Sequence, residues 1–145
     1  MDTEHNISIE NHPRTEDVQF IREELAVFNR IFAPEDRHQQ LTVFLRDKSG
    51  SIIGGLLGGT YWRWLYIEVL WVAVEFRKQG YGAALLSAAE NEAIKRGCHY
   101  SHLDTHSFQA VSFYERRGYS RVGELKDLPE GHSRYLLWKS FRQTA

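Results

Sequence analysis

The 145-residue sequence has little cysteine, little proline and no excess of either charge. Its one cysteine, Cys98, cannot form an internal disulfide and lacks the CxxC or Cys/His spacing of a zinc site. A formal net charge of -1 excludes the broad basic surface with which proteins bind nucleic acids or acidic membranes. No apolar run approaches the length of a membrane span or follows the pattern of a leader sequence. We therefore expect a cytoplasmic protein without nucleic-acid or membrane partners.

The length of the chain is that of one ordinary domain, which is enough to bury a hydrophobic core. Three prolines and eleven glycines leave no low-complexity segment that could serve as a linker. We expect residues 1–145 to form a single domain. The periodicity predicts a mixed α/β fold with a mainly antiparallel sheet, in the order β-α-β-β-β-α-β-α-β-β.

The first half of this order follows from apolar periodicity. The alternation around Ile7 and Ile9 predicts a first strand. Apolar residues at steps of three and four then predict a helix that Thr15 caps and Pro34 ends. Residues 40–47 and 51–64 have the pattern of a hairpin that turns at a glycine. Residues 65–74 are almost continuously apolar, which predicts a central strand covered on both faces.

The second half contains the one expected βαβ crossover. Residues 83–96 are strong helix formers that end at Gly97. Residues 99–105 predict a short strand, and Ser107 is the expected N-cap of a short helix that ends before Gly118. Residues 119–125 and 133–140 predict a final antiparallel pair.

The segment "RKQGYG" has the composition of an anion-binding turn. It joins the apolar strand to the next helix, so the unpaired N–H groups at the start of that helix would form an anion-binding site. Arg77 and Lys78 would add positive charge to this site. Glycines at positions 80 and 82 allow an anion to approach the backbone closely. A dinucleotide-binding fingerprint needs a third glycine where this chain has Leu85, and no Walker sequence is present. A tight turn with incidental charges remains an alternative.

Two motifs in order suggest a family. The first is "RKQGYG" preceded by Val72 and Val74, and the second is "FQAVSFYERRGY", which includes Ala110, Phe113, Tyr114, Gly118 and Tyr119. Together they resemble motif A and a later segment of the GNAT superfamily of N-acetyltransferases. The expected order of elements also fits that fold over nearly the whole chain.

The resemblance implies acetyl-coenzyme A as cosubstrate. The pyrophosphate would be held by the whole turn, that is by Arg77, Lys78, Gln79, Gly80, Tyr81 and Gly82. Main-chain groups of Val72 and Val74 would hold the pantetheine. Ser107 stands where many members have an asparagine that binds the coenzyme, so its shorter side chain would have to make that contact.

The same resemblance implies two catalytic residues. Tyr114 would be the general acid that protonates the departing thiolate, since a phenol keeps its proton at neutral pH. Glu68 would be the general base, because it is the one charged residue in the apolar strand and a buried carboxylate accepts a proton more readily. The alternatives are that Tyr114 only packs and that Glu68 faces solvent at a strand bulge.

Polar residues on the strand predicted over residues 99–105, and just after it, could form a metal site or an acceptor pocket. His102, Asp104 and His106 alternate along one face, but three ligands on one strand seldom converge on an ion. We therefore expect no metal. Asp104, His106 and His132 would line the acceptor pocket with two aromatic residues of the first helix, Phe28 and Phe32.

These observations predict an N-acetyltransferase that acts on a primary amine of a small molecule. Two alternatives remain within the resemblance: a non-catalytic coenzyme A binding module, and an enzyme that acts on a protein or peptide amine. A nucleotide-phosphate binder with an unusual loop is an alternative of a different class. The aromatics of the third and fourth strands leave a homodimer open.

Overall fold

The computed structural model describes residues 4–142. It contains three α-helices, α1 (Thr15–Phe32), α2 (Tyr81–Lys95) and α3 (Val111–Glu115), and one 3-10 turn (Val74–Phe76). The six strands are β1 (Gln39–Arg46), β2 (Ile52–Tyr61), β3 (Trp64–Val72), β4 (Tyr100–His106), β5 (Ser120–Lys126) and β6 (Ser133–Ser140). The chain divides into two compact units, Met1–Glu35 and Asp36–Ala145. Within the described range, no helix combines the length and the apolar character needed to cross a membrane.

The first unit consists of α1 and the segment before it. The apolar spacing predicted this helix correctly, and it ends at Phe32, two residues before Pro34. Its start was predicted one residue late, because Arg14 occupies the N-cap position and Thr15 is the first helical residue. The strand predicted around Ile7 and Ile9 is wrong: residues 5–10 have no regular structure and are exposed. Two apolar residues in a polar stretch are too few to define a strand face.

The second unit is a six-stranded sheet in the order β1-β2-β3-β4-β6-β5. All neighbouring strands are antiparallel except β3 and β4, which are parallel and are joined by α2. This arrangement confirms the mixed α/β class, the central βαβ crossover and the closing antiparallel pair. Helix α2 covers one face of the sheet, where its residues Leu86, Ala89 and Ala93 share a core with Leu65 and Leu103.

Helix α2 supplies much of this core, and Leu86 is among its most completely buried side chains. We expect Leu86→Ala to lower the free energy of unfolding by about 2 to 5 kcal/mol, because the change removes buried surface and leaves a cavity. Ile94→Ala is the matched control, since Ile94 lies on the same helix and is half exposed. Urea denaturation followed by circular dichroism measures both. Equal losses for the two variants would contradict this assignment of the core.

A β-bulge interrupts the pairing of β2 with β3. Leu57 lies opposite Val69 and Gly58 lies opposite Ile67, so Glu68 is the extra residue. Gly58 allows this geometry, because a Cβ atom at position 58 would lie 2.2 Å from the carbonyl oxygen of Tyr66.

Strands β3 and β4 diverge beyond this bulge. They pair only from Trp64↔Tyr100 to Ile67↔Leu103, although β3 continues to Val72 and β4 to His106. The expectation that residues 65–74 are covered on both faces is therefore wrong. Glu68, Val69 and Trp71 are exposed because the sheet opens at this point.

A buried polar network joins the end of α3 to the core. The Tyr119 hydroxyl lies 2.7 Å from the Ser101 hydroxyl and donates to the Glu90 carboxylate at 2.8 Å. The Lys139 ammonium donates to the same carboxylate at 2.9 Å. Burial, assisted by Glu90, raises the pKa of Tyr119. These partners satisfy every polar atom of the network that the core removes from water.

Candidate active site

The gap between β3 and β4 is a cavity of about 810 Å³, which we call the cleft. Its walls come from the diverging part of β3, the glycine turn, the start of α2, the end of β4 and α3. The lining residues used below are Glu68, Leu70, Trp71, Val72, Arg77, Lys78, Gly80, Tyr81, Gly82, Ala83, Asp104, Gln109, Tyr114, Arg116 and Arg117. The β-bulge and the crossover helix thus place both sequence motifs around one cavity.

The glycine turn presents a helix start to the cleft. Gly80 is at the N-cap of α2 with a φ of 88°, a left-handed conformation that favours glycine, and no side chain caps the helix. The N–H groups of Tyr81, Gly82 and Ala83 have no intrahelical acceptor in this position. These groups form a positively polarised site that fits a phosphate group.

Basic side chains surround this helix start. Arg77 and Lys78 line the cleft, and the Arg77 guanidinium donates through Nε to the carbonyl oxygen of Val72 at 2.8 Å. Gln79 is not among the lining residues, and its amide donates to the Glu75 carbonyl at 3.3 Å. Gln79 thus stabilises the turn from outside the cleft.

Sequence reasoning missed two arginines that directly follow α3. Arg116 and Arg117 line the cleft, and the Arg117 guanidinium lies 3.9 Å from the centre of the Phe113 ring while donating to the Phe113 carbonyl at 2.9 Å. The letters "ERRG" carried the only available signal, but the sequence could not place these residues in the same cavity as the glycine turn.

Tyr114 lies at the wall of the cleft and is 8% exposed. Its ring packs edge-on against Phe113 and Tyr119, so it also contributes to the core. Burial raises the pKa of Tyr114 to about 12. The phenol is therefore protonated throughout the neutral range and can donate a hydrogen bond into the cleft.

Glu68 lines the cleft from the bulge of β3. Its side chain is exposed, so the buried environment expected for this carboxylate is wrong, and the solvent-facing bulge is what forms. The bulge nevertheless brings Glu68 into the same cavity as Tyr114. An exposed carboxylate in this position can accept a proton directly or through water.

The two valines of the first motif have different environments. Ala73 donates its N–H to the Ile53 carbonyl of β2, so by strand alternation the main-chain groups of Val72 point toward β4 and the cleft. Val74 lies beyond the strand, in the 3-10 turn, and its carbonyl accepts from the Arg77 N–H at 3.4 Å. The placement expected for Val74 is therefore wrong, whereas Leu70 and Trp71 line the cleft with Val72.

Ser107 does not cap α3. The helix begins at Val111, and Ala110 occupies its N-cap. The Ser107 hydroxyl instead accepts a hydrogen bond from the Ser133 N–H at 3.0 Å, which ties β4 to the start of β6. Ser107 is not a cleft residue, while Gln109 is, so a coenzyme contact by Ser107 remains a prediction without geometric support.

Of the predicted acceptor residues in the second unit, only Asp104 lines the cleft, whereas His106 and His132 contact Phe108, which lines it. Asp104 lines the cleft and pairs with the Arg134 guanidinium. His106 stacks on Phe108 with ring centroids 5.2 Å apart, and His132 meets the same ring edge-on at 4.9 Å. Phe28 and Phe32 belong to α1, where their rings lie 5.2 Å apart. Their role toward an acceptor stays a prediction.

A second cavity of about 830 Å³ lies on the sheet face opposite α2, and we call it the aromatic cavity. Its ring-bearing lining residues are Tyr61, Trp62, Trp64, Tyr66, His102 and Trp138. Asp104 lines this cavity as well as the cleft. Within residues 4–142, no group of three His, Cys, Asp or Glu side chains is arranged to hold a metal ion.

The overall fold of this chain is shared with solved acetyltransferases. An acetyltransferase from Bacillus cereus superposes with a TM-score of 0.85 at 33% identity, covering 93% of this chain and 98% of that chain. The sequence model of the Acetyltransferase (GNAT) family matches residues 5–119. This chain belongs to the GNAT family and is an acetyltransferase, as the two motifs predicted.

Two relatives carry names that describe their activity. Acetyltransferase Atu2258 from Agrobacterium fabrum is 38% identical over 121 residues, which are 83% of this chain and 88% of that protein. Blasticidin-S acetyltransferase from Streptomyces morookaense is 40% identical over 91 residues, which are 62% of this chain and 67% of that protein.

Proposed function

We propose that this acetyltransferase moves the acetyl group of acetyl-coenzyme A to a primary amine of a small molecule. The observation that carries the proposal is the cleft, which combines an uncapped helix start, basic side chains and a buried phenol. The similarity to Blasticidin-S acetyltransferase, whose name specifies a small-molecule acceptor, supports the acceptor class.

The donor site follows from the charges and the open backbone. The first N–H groups of α2, together with Arg77 and Lys78, would bind the pyrophosphate. Arg116 and Arg117 add positive charge to the same cleft. The main-chain groups of Val72 that face the gap would hold the pantetheine, with the Val72 carbonyl already bound to Arg77.

The reaction requires a neutral amine to attack the thioester carbonyl. The new C–N bond forms, the C–S bond breaks, and one proton leaves the amine while one reaches the sulfur. Glu68 would accept the amine proton, directly or through water. Tyr114 would donate to the departing sulfur; since a thiol titrates near pH 8.5, the buried phenol is the weaker acid and acts chiefly by stabilising the thiolate.

Two experiments test this function. We expect acetyl-coenzyme A to raise the Tm of the protein by several degrees and ATP to raise it much less, because ATP lacks the pantetheine that would fill the gap. We also expect thiol release from acetyl-coenzyme A to depend on the added amine, measured over a panel of small amines and lysine peptides. Equal shifts with ATP would favour a nucleotide-phosphate binder. A shift without amine-dependent release would favour a non-catalytic coenzyme A module.

A further inference from the structure

The aromatic cavity and the cleft are adjacent across the sheet. Leu65 and Leu103 point to the core under α2, so by strand alternation Trp64, Tyr66 and His102 point to the opposite face. The strands that separate the two cavities stop pairing at Ile67↔Leu103. Asp104, the next residue of β4, lines both cavities. A molecule bound among the rings therefore lies next to the gap in which acetyl transfer is proposed.

The side chains that line the aromatic cavity are mostly aromatic and uncharged. Flat rings form most of its wall, and the one charged group in it is the carboxylate of Asp104. Burial lowers the pKa of His102, so this imidazole adds no positive charge near pH 7. Burial raises the pKa of Tyr66, and the negative charges of Asp104 and Glu68 raise it further, so that phenol also remains neutral. The cavity thus combines ring faces with neutral polar groups and one carboxylate, that of Asp104, which the Arg134 guanidinium already pairs.

Strain at the rim provides a second, independent observation. Trp62 and Arg63 form the two-residue turn between β2 and β3, with φ values of 44° and 64°. Both residues of such a turn need positive φ, which favours Asn-Gly over bulky residues. Trp62 nevertheless occupies the first position and lines the aromatic cavity. Strained backbone of this kind concentrates at binding sites, where the side chain is needed.

We infer that the aromatic cavity binds the acceptor and that the acceptor is a cationic amine on a planar, conjugated body. The inference rests on the proposed function and goes beyond it in naming the acceptor's shape. Ring faces stack on a planar group and attract a cation. The Asp104 carboxylate, which pairs with Arg134, lies beside the gap and can accept a hydrogen bond from the amine. The ammonium loses a proton to Glu68 before attack, and the planar body keeps the nitrogen directed at the gap.

A matched pair of amines tests the shape requirement. The compound 2-phenylethylamine has a planar ring, and 2-cyclohexylethylamine has the same chain with a puckered ring. We expect kcat/KM for the planar amine to be at least about tenfold higher, measured by thiol release at saturating acetyl-coenzyme A. Equal values for the two amines would overturn the inference.

Trp62→Asn tests the cavity itself, because asparagine suits the turn and the variant should fold. We expect kcat/KM for 2-phenylethylamine to fall about tenfold, with the KM for acetyl-coenzyme A unchanged and Tm equal or higher. Trp138→Leu, on another wall of the cavity, should act in the same direction. Phe44→Ala is the control, since Phe44 is a half-exposed ring that lines neither cavity, and it should leave the preference intact.

The outcomes distinguish this inference from the proposed function. Thiol release with other amines but with neither of the matched pair overturns the inference alone. A lower Tm of Trp62→Asn with an unchanged preference would make the rings a packing surface, which also overturns it. Loss of both the coenzyme-induced Tm shift and all amine-dependent release removes the proposed function, and this inference with it.

Discussion

Replacing Tyr114 by phenylalanine is expected to lower kcat by about a hundredfold while changing the KM for acetyl-coenzyme A less than about twofold. The hydroxyl is the part of this buried side chain that can stabilise the departing thiolate, whereas the ring, which phenylalanine retains, packs against Phe113 and Tyr119. Steady-state thiol release measures kcat, and a thermal melt confirms that the core is intact.

Tyr100→Phe is the matched control. Tyr100 is a partly buried tyrosine of β4 that packs on Trp64 and lines neither cavity, so its hydroxyl should contribute little to the rate. If Tyr114→Phe retained the wild-type kcat, Tyr114 would serve only in packing, which is the alternative that the sequence left open.

The protonation state of Tyr114 also predicts how the reaction rate depends on pH. Because burial raises its pKa to about 12, the hydroxyl keeps its proton in the folded protein between about pH 6 and about pH 10. Only above that range does deprotonation withdraw the hydrogen bond to the sulfur. We therefore expect the wild-type rate not to fall below about pH 10 through deprotonation of Tyr114. A fall of the rate in that range that is present in the wild type and absent in Tyr114→Phe would contradict the assignment.

Replacing Gly58 by alanine is expected to lower the free energy of unfolding by about 3 kcal/mol or more. The added Cβ would lie 2.2 Å from the Tyr66 carbonyl oxygen, a backbone atom that can move only if β2 and β3 separate. Because this contact lies beside the bulge at Glu68, we also expect the cleft to change shape and amine-dependent thiol release to fall. Urea denaturation and the thiol assay measure the two effects.

Gly50→Ala provides the comparison for this variant. Gly50 has a φ of 89° in the β1–β2 turn, but an added Cβ would meet nothing within 4 Å. The expected loss is about 1 kcal/mol, from backbone conformation alone. Similar losses in the two variants would show that the contact at Gly58 relaxes at little cost.

The parts of the site that the sequence predicted are those governed by local chemistry. The glycine turn was recognisable because a strand, two glycines and a helix start stand next to each other in the chain. Tyr114 was predicted through its motif and lies in the cleft. The hairpins and the crossover followed from periodicity, which burial on one face enforces.

The parts that failed depend on tertiary pairing. Val74 continues an apolar run, but β3 ends at Val72 and a 3-10 turn follows. Ser107 has the chemistry of a helix cap, yet its hydroxyl accepts a hydrogen bond from Ser133 across a loop. Arg116 and Arg117 had no recognisable pattern, because their place in the cleft depends on how α3 packs beside the split strands.

The divergence of β3 and β4 also makes the stability of the fold depend on a bound ligand. Beyond Ile67 and Leu103 the facing edges of the two strands lack a ladder partner in the sheet. Side chains of Arg77 and Gln109 bond the Val72 carbonyl and the His106 N–H, and the other inward main-chain groups depend on solvent or on a bound molecule. A molecule that fills the gap binds only the folded state and adds about 2.7 kcal/mol to stability at one hundred times its dissociation constant. The lifetime of this enzyme in a cell would then rise and fall with the supply of its acyl donor.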